Sequence, residues 1–168
     1  MSRVLFSEKQ KFTQAWLIGI MILVDLLFLS IVVPKTLGQT DSGNDPVIMI
    51  FIILPVMFLV NYLIFSAKLE TEIKDGTFNY RFFPFIRSWR SIHRSEIAQY
   101  EVRQFSPLRD FGGYGYRIDF TGKGRIFNVK GRSGLKLIFS NGRKILFGTQ
   151  MPKELKIAMD KMMAKNEY

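Results

Sequence analysis

The sequence predicts an α+β membrane protein, in which a two-helix transmembrane hairpin precedes a basic, β-rich domain that ends in a helix. Three observations predict this fold class. Uninterrupted apolar runs occupy residues 15–33 and 47–65, strand-like runs broken by turn signals follow, and the last stretch changes to a helical period. The predicted parts are a cytoplasmic tail (1–14), the hairpin (15–65) and a cytoplasmic domain (66–168).

The hairpin is predicted from its length, its uniform apolarity and the charges around it. Each apolar run has 19 residues, and a helix of that length extends about 28 Å, close to the hydrocarbon thickness of a bilayer. Neither run has the polar stripe of a helix packed on a soluble core, which is the alternative interpretation. The flanks are basic, whereas loop 34–46 has one Lys and two Asp. The positive-inside rule therefore predicts a multi-pass protein of the inner membrane, with an external loop and both termini in the cytoplasm.

Two polar residues interrupt the apolar runs, Asp25 in the first and Asn61 in the second. An ionised carboxylate inside a bilayer costs about 3 kcal/mol, so Asp25 is predicted to be protonated and hydrogen-bonded within the hairpin, or to contact a partner helix. A proton relay is the other interpretation. If the two helices are antiparallel, Asp25 lies at the level of Pro55. A proline has no backbone N–H, so a carbonyl near Phe51 is left without its helical donor and could accept from Asp25. Asn61 is about six residues away from that level and is not an obvious direct partner, but both polar residues are predicted helix-contact positions.

The domain at residues 66–168 alternates short strand-like runs with turns. Asp75-Gly76 and Asn141-Gly142 each separate two such runs and predict tight hairpins. About seven antiparallel strands are expected, in a bent sheet or barrel. Pro152 marks the start of a terminal amphipathic helix, whose apolar stripe consists of Leu155, Ala158, Met159 and Met162.

This arrangement resembles the pleckstrin-homology-like (PH-like) domain. The stretch from Gly112-Gly113-Tyr114-Gly115 to Gly148-Thr149-Gln150 is similar to the C-terminal half of bacterial PH-like domains that are carried by small membrane proteins with an N-terminal helical hairpin, a largely uncharacterised family. The resemblance implies the fold of residues 66–168. It does not imply recognition of inositol lipids, because the first hairpin loop is short and Arg81 is followed by two Phe instead of the family's Arg-x-Arg.

Nothing in the sequence predicts a catalytic, cofactor-binding or metal-binding residue. There is no Cys, which excludes disulfides and thiolate chemistry, and His93 is the single histidine, so a Ser-His-Asp triad would have to use it. The glycines fit neither a phosphate loop nor a dinucleotide fingerprint, and the acids are scattered singly. The prediction is a protein that is not an enzyme and has no cofactor, metal or small-molecule substrate.

Positive charge is the remaining signal. Residues 66–168 hold 20 of the 24 Lys and Arg against 10 acids. Close to an anionic surface each such cation adds about 1 kcal/mol of attraction. The alternative is a generic solvated basic face. The predicted contact residues form two groups, Arg87, Arg90 and Arg94 around a Trp, and Lys123, Arg125, Lys130 and Arg132 around a later hairpin.

Together these features predict a membrane-anchored, non-enzymatic binding or scaffold module. Its basic domain would engage a protein partner or the anionic inner membrane surface, while lipids surround the hairpin. The alternative is a small accessory subunit of a membrane transporter or membrane-enzyme complex, with Asp25 against partner helices. Nucleic acid is not expected as a partner, because the aromatics are explained as core positions of strands and no known motif is present.

Overall fold

A computed structural model describes residues 3–38, 46–119 and 124–164 of the protein. These residues form two compact units. The helical unit is Phe12–Ser66, and the β unit consists of the described residues on either side of it. The two strands that flank the helical unit pair with each other, Lys11 opposite Lys68, so the helical unit is an insertion between two paired strands.

The helical unit contains α1 (Ala15–Gly38) and α2 (Pro46–Ser66), which contact each other. Pro55 lies inside α2. Large apolar side chains are exposed along both helices, and the most exposed are Phe51 at 75% and Phe58 at 73%. Exposed apolar surface of this extent marks an interaction surface.

The predicted membrane crossing is contradicted. Both apolar runs are helical, but within the described ranges no helix combines the length and the apolar content that crossing a bilayer requires. The membrane class of the fold and the multi-pass inner-membrane location, with both termini in the cytoplasm, are therefore wrong. Helix α1 also continues beyond the predicted end at Val33 as far as Gly38. Residues 39–45 of the predicted external loop lie outside the described residues.

The first sheet of the β unit is an antiparallel meander in the order β1-β2-β3-β4. Its strands are β1 (Val4–Lys11), β2 (Lys68–Lys74), β3 (Thr77–Phe83) and β4 (Ile86–His93). The Asp75-Gly76 turn joins β2 to β3 as predicted, and Gly76 takes the positive φ of 80° that such a turn requires. Strand β1 was not predicted, since its residues were assigned to the N-terminal tail.

The second sheet has the order β5-β8-β9-β7-β6. Its strands are β5 (Ile97–Gln104), β6 (Gly115–Asp119), β7 (Gly124–Asn128), β8 (Ser133–Phe139) and β9 (Lys144–Thr149), and the short helix α3 (Pro107–Phe111) connects β5 to β6. The described residues thus form nine strands in two sheets, instead of about seven in one bent sheet or barrel. One pair, β7 with β9, is parallel, because the β8–β9 hairpin inserts between β5 and β7.

Helix α4 (Pro152–Ala164) covers one end of the β unit. Its four stripe residues are buried, as their spacing predicts: Leu155, Ala158, Met159 and Met162. The helix contacts β1 and β2 of the first sheet and β8 of the second. It therefore closes a core that both sheets share, in which Phe78 lies 4.8 Å from Phe147 between ring centroids.

Candidate functional site

The positive charges of three arginines oppose the rise that burial causes in the pKa of Tyr80, and one of them, Arg90, lies opposite Tyr80 in the β3–β4 register. Arg90 lies in β4, Arg125 in β7 and Arg143 directly before β9. Burial raises the pKa of Tyr80 above its ordinary value of 10.0, and the positive charges of these three arginines oppose part of that rise. The three residues are termed the arginine cluster.

The core of the β unit fixes the position of Tyr80. Its side chain lies on the inward face of β3 and is only 6% exposed. The ring packs against Phe127 and Phe147, at centroid distances of 5.3 and 4.8 Å. Tyr116 stacks on Phe127 at 4.8 Å. The side chain whose pKa the arginine cluster acts to lower is therefore held in a packed aromatic core.

Among the side chains that the structure describes, no carboxylate forms an ion pair with an arginine of the cluster. Arg143 lies over the ring of Phe139, with its guanidinium carbon 4.9 Å from the centroid. All three side chains are exposed. The positive charge of the cluster is thus uncompensated by the described residues, and it is available to an anionic group.

The cations on the outer face of the first sheet are different, because they already have a partner. Glu70 is buried, and it forms ion pairs with Lys9 at 3.2 Å and Lys68 at 3.6 Å and accepts a hydrogen bond from the Arg81 guanidinium. Burial by itself raises the pKa of Glu70, but these hydrogen bonds and charges outweigh burial and lower the pKa. This ionic network stabilises the sheet, and each of its three cations is held by the same carboxylate.

Of the predicted contact residues, Arg90 and Arg125, one from each predicted group, both act to lower the pKa of Tyr80. Arg87 instead lies over Phe83, at 5.9 Å from the ring centroid, and Arg94 begins a 3₁₀ turn after β4. Lys130 and Arg132 lie in the connection between β7 and β8, and Lys123 lies outside the described residues.

Sequence reasoning missed Arg143, which follows the Asn141-Gly142 turn and was interpreted only as part of a hairpin. Arg125 is opposite Ile145 in the parallel β7–β9 pair, so Arg143 is a diagonal neighbour of Arg125. Only the order of strands in the sheet gives this relationship.

A second basic concavity lies at the end of β5. Its volume is about 510 Å³, and its lining includes Arg109, Arg132, Ser106 and Gln104. The backbone N–H of Phe105 donates to the Arg132 carbonyl at 2.8 Å, and the Ser106 N–H donates to Asp110 Oδ2 at 2.9 Å. Arg132 is therefore held apart from the arginine cluster, next to α3.

In the helical unit, Asn61 contacts Asp25 directly, contrary to the prediction. Asn61 Nδ2 donates to the two carboxylate oxygens at 3.3 and 3.2 Å. The predicted level of Asp25 opposite Pro55 assumed that the first helix ends at Val33. Because α1 continues to Gly38, the facing position on α2 moves about one turn toward its C-terminus, which brings Asn61 within reach of Asp25.

The described residues include no group of three or more His, Cys, Asp or Glu side chains that could hold a metal ion. His93 is exposed at the end of β4, where its backbone N–H donates to Glu96 Oε1 at 2.9 Å. The arginine cluster offers chemistry of another kind, since guanidinium groups bind carboxylate or phosphate oxygens through paired N–H donors.

No known protein family, curated protein or solved structure matches this chain. The resemblance to PH-like domains consequently stays a prediction that depends on the residues named above. The function is argued from the charges and contacts of the chain itself.

Proposed function

We propose that the chain is a non-enzymatic binding module whose β unit, with the PH-like architecture that its sequence resembles, engages an acidic segment of a protein partner. The observation that supports this proposal is the uncompensated arginine cluster, whose charges act to lower the pKa of Tyr80 in its packed aromatic core. Carboxylates of the partner would form ion pairs with the arginine cluster, which has no such pair with the described side chains of this chain.

A compact acidic segment fits the cluster better than an extended anionic surface does. Arg90, Arg125 and Arg143 all act to lower the pKa of one residue, Tyr80. Three cations of the first sheet, Lys9, Lys68 and Arg81, instead share the carboxylate of Glu70. A localised group of guanidiniums favours one or a few closely spaced carboxylates.

The test compares two triple variants of the full chain with the same loss of charge. One variant changes the cluster: Arg90→Gln, Arg125→Gln and Arg143→Gln. The matched control changes three exposed cations elsewhere: Arg87→Gln, Lys153→Gln and Lys156→Gln. Binding of a fluorescent oligoglutamate peptide is measured by anisotropy at several salt concentrations.

We expect the cluster variant to bind the peptide about tenfold or more weakly than the wild-type chain, and the control to lose less than about threefold. Equal losses in both variants would mean that net charge alone attracts the peptide, which would overturn the proposal. Vesicles with and without an anionic lipid form the second arm. If the chain binds anionic vesicles through the cluster and does not bind the peptide, the ligand is a lipid surface and not a protein segment.

A second candidate function is that of a small accessory subunit in a larger protein assembly. The observation that favours it lies in the helical unit, where the Asp25–Asn61 pair borders an apolar cavity of about 320 Å³. The exposed apolar side chains of α1 and α2 are the surface that such an assembly would cover.

A further inference from the structure

The cavity between α1 and α2 is a groove that follows both helices. On α1 the lining residues recur at helical spacing, namely Met21, Val24, Asp25 and Phe28. On α2 the lining extends from Ile52 to Asn61. Each side of the groove therefore covers roughly two to three helical turns, about 10–14 Å, with Asp25 and Asn61 as its polar residues.

The carboxylate of Asp25 retains unused hydrogen-bonding capacity. The side-chain amide of Asn61 has two hydrogens. One of these hydrogens is donated to the Met57 carbonyl, at 3.0 Å. The two Asp25 oxygens therefore share the other hydrogen of the Asn61 amide. No described Lys or Arg pairs with Asp25. A carboxylate offers about four acceptor positions, so this site lacks a strong donor.

We propose that the groove receives a third apolar helix, from a partner protein, that carries a Lys or Arg at the level of Asp25. This inference rests on the second candidate function, that of an accessory subunit. The basic side chain of the partner would donate to the free positions on the Asp25 oxygens, while Asn61 keeps its present hydrogen bonds.

A helix fits the surroundings of the groove better than a small cationic molecule does. Large apolar side chains outside the groove lining, such as Leu26, Phe51 and Phe58, are more than half exposed. A small molecule in the groove would leave them uncovered, whereas a helix lying along α1 and α2 extends past the groove. Helices pack in this way by placing ridges of side chains into grooves.

A second copy of this chain does not supply the missing charge. The only basic residue within Phe12–Ser66 is Lys35, ten residues from Asp25 and thus about 15 Å away along a helix. A symmetric pairing of two helical units would instead bring a second Asp25 carboxylate to the same level. The partner helix is therefore expected to belong to a different protein.

The test measures energy transfer between the labelled full chain, kept in mild detergent, and labelled helical peptides. The peptides are 20-residue Leu/Ala helices that differ only at the central position, which is Lys, Leu or Glu. For the wild-type chain we expect the Lys peptide to bind about tenfold more tightly than the Leu peptide, and the Glu peptide to bind most weakly. In Asp25→Asn the Lys and Leu peptides should bind equally.

Two control variants distinguish charge pairing from misfolding. Asp25→Glu should keep the preference for the Lys peptide, and Glu101→Gln removes one exposed carboxylate from the β unit and should change nothing. A Lys preference that persists in Asp25→Asn would overturn the inference. Equal binding of the Lys and Leu peptides to the wild-type chain would also overturn it, while the accessory-subunit function would survive. If no peptide binds, both fail.

Discussion

Gln10 in β1 donates from Nε2 to the carbonyl oxygen of Gly148 in β9, at 2.7 Å and shielded from solvent. The two residues belong to different sheets and are 138 positions apart in the chain. Next to this bond, Glu8 accepts from Thr149 Oγ1 at 2.6 Å and from the Gln150 N–H at 2.8 Å. The N-terminal strand thus links the two sheets through polar side chains that are themselves buried.

Thr149→Val should destabilise the β unit by about 1–3 kcal/mol, because it removes the donor to Oε2 of the buried Glu8 carboxylate. The Thr149 hydroxyl also accepts from the Met151 N–H at 3.0 Å, at the start of α4. Urea unfolding of the full chain measures the effect. Ser140→Ala, which removes an exposed hydroxyl, serves as the control and should stay within about 0.5 kcal/mol. Equal stability of the two variants would show that the Glu8–Thr149 bond does not stabilise the fold.

Gly148→Ala should destabilise the β unit by about 1–3 kcal/mol through steric overlap. A Cβ at this position would overlap the side chain of Asn128, which is fully buried and cannot move aside without disturbing β7. Thermal unfolding provides the measurement. Gly19→Ala is the comparison, since a Cβ there meets no atom within 4 Å and helix propensity favours Ala. The prediction fails if Gly148→Ala unfolds at the wild-type temperature.

The Glu70 network should make stability fall at acidic pH. The pKa of Glu70 is below its ordinary value of 4.5 in the folded chain, because Arg81, Lys9 and Lys68 outweigh the opposing effect of burial. The stabilisation is therefore complete above the unfolded pKa and is lost as pH falls through the folded pKa. Glu70→Gln should be less stable at neutral pH and lose less stability on acidification. Unfolding free energies measured from pH 7 down to about pH 3 test this, with Glu101→Gln expected to follow the wild-type curve.

Tyr80 should report on the charge of the arginine cluster. Its pKa is above 10.0, since burial disfavours the phenolate and the arginine charges compensate only in part. Arg143→Gln removes one of these charges and should raise the pKa of Tyr80 further. Absorbance titration at alkaline pH, with Tyr80→Phe to identify the signal, measures the shift. Lys153→Gln should leave the titration unchanged, and an equal response in both variants would contradict the proximity of Arg143 to Tyr80.

Local sequence signals predicted several elements well. The Asp75-Gly76 and Asn141-Gly142 dipeptides lie in hairpin turns, where positive φ at Gly76 and Gly142 is required. The apolar stripe of α4 is buried as its spacing predicts. Each of these features depends on residues within a few positions of one another, so the sequence alone contains the necessary information.

Other features depended on pairings that are distant in sequence. Strand β1 is apolar only in its first three residues and polar from Ser7 onward, and it is recognisable as a strand only because β2 pairs with it after the whole helical unit. The inference of a membrane crossing came from apolar content, which measures a preference to leave water and does not identify what covers the side chains.

The sequence by itself determined that both apolar runs and the C-terminal stripe are helical, where the Asp75-Gly76 and Asn141-Gly142 turns lie, and that positive charge is concentrated in residues 66–168. Only the tertiary structure decided that Arg90, Arg125 and Arg143 act on one tyrosine, and that Asn61 donates to Asp25. The physical reason is that strand order and helix register result from packing between distant segments. Hydrophobic periodicity and composition are local properties of the sequence. They do not specify which faces of the helices and sheets pack against each other.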